Sequence, residues 1–153
     1  MTITVANDHL LVSTENEAAI QIRDLAQSAK LSHTLQTVDT PVQIVHSKVS
    51  NCLFTLEQGL PSRTPSIRAY TNWDNPRVDG APIRPRCAHY LAHSIWILFG
   101  LMVVSRDESK IGVCLKFCKS AMLYIISLVS HDMIYIWDPS QEWLPVCAPH
   151  RWM

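Results

Sequence analysis

Ser94-Ile95-Trp96-Ile97-Leu98-Phe99-Gly100-Leu101-Met102-Val103-Val104 is almost solid hydrocarbon, and the way this run buries itself decides the fold. It belongs to an uncharged stretch from Tyr90 to Val104. A polar break, Ser105-Arg106-Asp107-Glu108-Ser109-Lys110, follows, and a second apolar stretch runs from Ile111 to Trp137, interrupted by Lys116, Lys119, His131 and Asp132. A helix crosses a bilayer core with about 17 to 25 apolar residues, and with its weakly polar flanks each stretch comes near that minimum. The pattern therefore predicts an apolar C-terminal helical hairpin over 87–137, which in its sharper form is two membrane segments at about 88–104 and 111–130. Arg77, Arg84 and Arg86 precede the first segment and would hold that end in the cytosol, while Tyr90, Trp137 and Trp143 would sit at headgroup level. Lys116 and Lys119 count against insertion, each costing about 2.5 to 3.5 kcal/mol at a helix centre. The alternative is a single soluble α+β domain in which Ile95 to Val104 and Ile111 to Phe117 are buried strands joined by a polar turn.

Working toward the N-terminus, 59–86 carries five prolines and five arginines with few large aliphatics, and reads as a Pro/Arg-rich linker. Before it, 1–58 reads as a small α+β unit. Ile3 and Val5 alternate with Thr2 and Thr4, Asn7-Asp8 supplies a turn, and His9 to Val12 follows as a second apolar run, which predicts a hairpin. Thr14 with Glu17 matches a capping box, and Ala18, Ile22, Leu25, Ala26 and Ala29 recur at helical spacing, which predicts one helix over about 14–31. Leu35 to Val38, Val42 to Val49 and Cys52 to Leu56 are β-rich runs. Past the apolar hairpin, 138–153 is an irregular tail with three prolines and tryptophans. The expected fold class is thus α+β: short antiparallel strands with one helix, a linker, then the helical hairpin.

Thirteen basic and thirteen acidic residues cancel, so nothing draws in a polyanion, and no nucleic-acid partner is expected. Four glycines leave no phosphate-cradling loop. The start, Met1 to Asp8, has no basic and apolar leader pattern, which points to a cytosolic N-terminus. Five cysteines without a C-x-x-C pair read as reduced thiols.

Candidate chemistry is sparse. Cys87, His89 and His93 can be written as a ligand set with Cys114 and Cys118, but a hairpin closing at Arg106 to Lys110 places the cysteines opposite Leu98 to Met102, away from the histidines, so no metal site is assigned. His131-Asp132 is half of a metal dyad whose other ligands have no recognisable spacing. Asp107-Glu108 reads as a solvated turn, and Glu15 with Glu17 as helix N-terminal charge. Arg63, Arg68, Arg77, Arg84 and Arg86, interleaved with Tyr70 and Trp73 and diluted by Asp74 and Asp79, read as solvated linker. No nucleophile elbow or cysteine-histidine signature occurs, so no catalytic, cofactor-binding or metal residue is assigned and no cofactor is expected.

These readings point to a non-catalytic interaction or adaptor protein anchored to a membrane by the C-terminal hairpin, its partner a protein or membrane lipid. The alternatives are a cytoplasmic subunit of a protein complex that uses its apolar half as the partner interface, an enzyme with an unrecognised site, and a fused or truncated reading frame beginning after Arg86.

Overall fold

The computed structural model describes residues 1–58, 65–75, 87–90, 99–116, 121–127, 133–137 and 144–145. Over these residues the chain is built of antiparallel strands in three sheets, each a meander in which consecutive strands pair. Sheet 1 contains β1 (Thr2–Ala6), β2 (His9–Ser13), β3 (Ala19–Asp24) and β4 (Lys30–Gln36). Sheet 2 contains β5 (Thr40–Ser47), β6 (Cys52–Gln58), β7 (Ser66–Tyr70) and β8 (Cys87–Tyr90). Sheet 3 runs from β9 (Phe99–Val104) through β10 (Lys110–Lys116), β11 (Ala121–Ser127) and β12 (Met133–Trp137) to β13 (Leu144–Pro145).

Two expectations are corrected. The fold is not α+β, and no helix occupies 14–31. Ile20 and Ile22 are buried while Gln21 and Arg23 between them are only partly covered, a period of two that suits a half-buried strand. The helical stripe competed with that alternation and lost, because a strand at Ala19–Asp24 finds a ladder on both sides, with β2 and β4. The Thr14 hydroxyl does donate to the Glu17 carboxylate at 2.6 Å, but as a local turn without a helix behind it. Among the described residues the helical content is a 3-10 turn, Leu25–Gln27, capped by Asp24 through a 2.8 Å bond from the Ala26 amide and stopped by Ser28 at φ 55°.

The second correction concerns the apolar C-terminal half, whose described residues form strands and not a helical hairpin of transmembrane helices. Among the described residues no helix is long and apolar enough to cross a membrane. The end of that run, Phe99–Val104, is β9, which pairs with β10 from Ile111↔Val104 to Lys116↔Phe99 across the Ser105–Ser109 turn. An unbroken apolar run satisfies its backbone equally well in a helix or in a ladder. Here β-branched residues and a succession of neighbouring strands favoured the ladder. Within 59–86, Ser66–Tyr70 is the interior strand β7 of sheet 2; residues 59–64 and 76–86 lie outside the described residues.

The sheets are stacked in chain order, with first strands side by side: β1 lies against β5, and β5 against β9. Each sheet then has a leading face, turned toward the preceding sheet, and a trailing face, turned toward the next. The junction of sheets 1 and 2 holds Leu11, Ile20, Ile22 and Leu35 from the trailing face of sheet 1, and Ile44, Leu53 and Tyr70 from the leading face of sheet 2. Every residue of β6 and β7 is buried, so sheet 2 is covered on both faces, and its Phe54, Leu56, Ile67 and Ala69 belong to the trailing one. Met102, Ile111, Val113 and Tyr124 make the buried leading face of sheet 3.

Candidate functional site

Three features of this stack carry polar or exposed chemistry. The first lies inside the junction of sheets 1 and 2. Thr55 and Glu57 alternate along β6, and Arg68 and Tyr70 along β7; the register pairs Thr55 with Arg68, so all four side chains share one face. Glu57 is fully buried and accepts hydrogen bonds from the Thr55 hydroxyl at 2.7 Å, the Tyr70 hydroxyl at 2.7 Å and the Asp39 amide at 2.9 Å. Arg68 Nε is 3.1 Å from the same carboxylate, and its other arm points to Asp39 at 3.9 Å. The Tyr70 hydroxyl in turn accepts from the Val38 amide at 3.3 Å. The group ties the β4–β5 connection, through Val38 and Asp39, to the middle of sheet 2.

Burial pushes the Glu57 carboxyl above its ordinary value of 4.5, against the opposing pull of its hydrogen bonds and of Arg68. Burial likewise raises the Tyr70 hydroxyl, helped by the adjacent Glu57, and so keeps it a donor. A carboxyl whose pKa rises on folding binds its proton more tightly in the native state. Its contribution to stability is therefore greatest below the unfolded carboxylate range and declines as pH climbs through the folded value. Urea unfolding of the wild type and of Glu57→Gln should show this directly: the advantage of glutamate over glutamine shrinks as pH rises above the ordinary carboxylate value of 4.5. A growing advantage would mean that hydrogen bonds and Arg68 outweigh burial.

The second feature sits at the end of the stack where first and second strands turn. Trp73, just past β7, is fully buried, its ring edge-on to His9 and His46 with centroids 5.8 Å and 5.4 Å away. Its Nε1 donates to the Asn51 carbonyl at 3.2 Å, and His33 Nε2 lies 2.7 Å from its carbonyl oxygen. The Asn51 side chain takes bonds from Asn7 at 3.2 Å and reaches Asp74 at 3.1 Å; its Oδ1 also lies 2.9 Å from His46 Nε2. Asn7 and Asn51 hold left-handed backbone, φ 52° and 46°, at equivalent turns of sheets 1 and 2, a conformation asparagine tolerates. At the matching turn of sheet 3, Glu108 has φ 53° and reaches back to sheet 2, accepting from Ser47 Oγ at 2.9 Å and the Val49 amide at 2.8 Å. Those bonds hold its carboxyl below the usual glutamate range, the Val49 amide foremost. Nearer the first strands, the Gln43 amide group grips β9 by both halves of Met102, its oxygen accepting from the amide and its nitrogen 3.4 Å from the carbonyl.

The third feature is apolar. On the leading face of sheet 1, Ile3 and Val5 are 54% and 59% exposed and flanked by half-buried Leu10 and Val12, with exposed Leu31 at the far edge on β4. The trailing face of sheet 3 presents Leu101 and Val103, 42% and 55% exposed, beside half-buried Cys114, Leu123 and Ile125. Ile44, at the corresponding place on the first strand of sheet 2, is 3% exposed.

The residues nominated from the sequence are scattered across this frame. Cys87 and His89 lie on β8 in sheet 2, at register positions opposite Ala69 and Ile67, whereas Cys114 is on β10 in sheet 3, opposite Leu101 and Leu123. His93, Cys118, His131 and Asp132 lie outside the described residues. Among the described residues no group of three or more histidine, cysteine or acidic side chains is placed to hold a metal ion. Asp107 closes the β9–β10 turn, taking bonds from Ser105 Oγ at 2.6 Å and from Ser109, which hold its carboxyl at about 2, the Ser105 bond foremost. Glu15 pairs with the N-terminal ammonium at 3.3 Å instead of a helix end. Arg68, Tyr70 and Trp73 are interior groups; Arg63, Arg77, Arg84, Arg86 and Asp79 lie outside the described residues. Glu57 went unnoticed in the sequence, although Leu53, Thr55 and Glu57 alternating with Phe54 and Leu56 marked an acid on one face of a strand. The His9, His46 and Trp73 grouping had no local signal. No known family model matches the chain, and no curated protein resembles it significantly.

Proposed function

We propose that this protein is a non-catalytic interaction subunit, in which the stack of sheets is a rigid frame and its two apolar end faces are the partner surfaces. The observation that supports this most directly is the contrast along the first strands. Ile44 of β5 is buried between sheets, while Ile3 and Val5 of β1 face outward at more than half exposure. Contiguous exposed aliphatics on a sheet are costly in water and are characteristic of surfaces that another molecule covers. The polar groups fit the reading. Glu57, Arg68 and Tyr70 are engaged with one another inside the frame, and Glu108 and Gln43 lock one sheet to the next.

Binding of anilinonaphthalene sulfonate tests the reading at low protein concentration. The wild type should enhance the dye's fluorescence. Ile3→Glu with Val5→Glu should lose about half of that enhancement, one of two apolar faces being charged, with the far-UV spectrum and the melting temperature nearly unchanged because β1 is an edge strand and both positions are exposed. Absence of dye binding by the wild type, or binding that the substitutions leave intact, would refute the assignment of these faces.

A further inference from the structure

We propose that the partner of each end face is the opposite end face of a second copy of this chain, so that the trailing face of sheet 3 in one copy seats on the leading face of sheet 1 in the next. The inference rests on reading the end faces as partner surfaces and names what covers them.

Three observations support it. First, the internal junctions are all of one kind, a trailing face against a leading face with first strands side by side, β1 on β5 and β5 on β9. The two faces left open, leading on sheet 1 and trailing on sheet 3, are the complementary members of one more such junction. Second, their apolar residues are in register with that geometry. Ile3 and Val5 on β1 and Leu10 and Val12 on β2 form the half of the leading face nearest the first strands. Leu101 and Val103 on β9, the first strand of sheet 3, occupy the corresponding part of the trailing face, and Leu123 and Ile125 carry its apolar area on to the third strand, β11. Third, the far half of the sheet 1 leading face, on β3 and β4, is mostly polar. Gln21, Arg23, Thr34 and Gln36 line it, with Leu31 the exposed aliphatic among them, and Arg23 is already bonded to Gln21 at 2.8 Å and to the Ala29 carbonyl at 3.2 Å. The leading face is therefore most apolar where a first strand would dock.

A contact between two different faces is head to tail, and such contacts close into rings or run on as filaments.

Two variants separate this from other arrangements: Ile3→Glu with Val5→Glu charges only the leading face, and Leu101→Glu with Val103→Glu charges only the trailing one. Sedimentation velocity of the 153-residue chain under reducing conditions should show concentration-dependent association for the wild type. Each variant alone should associate about 100-fold more weakly, because neither retains both faces. Mixed one to one, they should form a heterodimer, since each supplies the face the other lacks. The corresponding threonine variants, which suit a strand without adding charge, should weaken association in the same pattern and guard against misfolding of the glutamate forms. Self-association of either variant at wild-type strength, or a mixture that stays monomeric, would overturn the head-to-tail junction. A wild type that remains monomeric yet binds the dye at every concentration would exclude a second copy as the partner while leaving the end faces as partner surfaces. A monomer that binds no dye would remove both readings.

Discussion

Replacing Glu57 with alanine is expected to lower the free energy of unfolding by about 3–5 kcal/mol, the cost of leaving a buried charge and its donors without their acceptor. The carboxylate is the common acceptor for Thr55, Tyr70 and the Asp39 amide and lies beside the Arg68 guanidinium, so its removal strands groups on β6, β7 and the β4–β5 connection together. Glutamine retains the shape and one acceptor oxygen and should cost less. The double replacement Glu57→Leu with Arg68→Met should recover much of the loss, because exchanging both members of a buried ion pair for apolar residues is often nearly neutral. Urea or guanidinium denaturation of the set checks this. A Glu57→Ala protein within about 1 kcal/mol of the wild type would show that the group is not the link between the two sheets.

Trp73→Ala should be comparably damaging, at about 3–5 kcal/mol, since it empties a large volume in a packed interior. Trp73 is fully buried and belongs to the same core as Leu11, Ile20, Ile22, Leu35 and Leu53. Its loss also removes the donor to the Asn51 carbonyl, and with it part of the support for the left-handed turn at Asn51. Phenylalanine restores much of the packing and not the donor, so Trp73→Phe should cost roughly 1–3 kcal/mol. The His9 and His46 ring protons, which lie beside the indole, give a local readout by NMR: their resonances should shift in both variants. Denaturation midpoints that match the wild type in both would contradict the placement of Trp73 in the core.

The β1–β2 hairpin and the strands β5 and β6 were legible residue by residue, whereas the helix over 14–31 and the helical hairpin over 87–137 were misreadings of segments that form strands. Thr2 to Ala6 alternates, Asn7-Asp8 turns, and His9 to Ser13 returns, as found in β1 and β2. The 14–31 segment carries both a helical stripe and the alternation Ile20, Gln21, Ile22, Arg23, and periodicity within the segment cannot rank them. The ranking came from outside, from β2 and β4 on either side. The buried charge group was invisible for a related reason: Glu57 and Arg68 are eleven residues apart on different strands, and only the pairing of Thr55 with Arg68 brings them onto one face.

By itself the sequence determined where apolar and polar character lie: the uncharged run before Val104, the polar turn that follows, the balanced charge, and the lack of any catalytic or nucleotide-binding pattern. Only the tertiary structure decided that the described part of this hydrocarbon is arranged as strands in a stack of sheets, and that Ile3, Val5, Leu101 and Val103 are among the side chains left uncovered. The reason is that apolarity is a property of a residue, whereas burial is a property of its neighbours. A strand's partners, and the face it turns outward, are settled by segments distant in the chain.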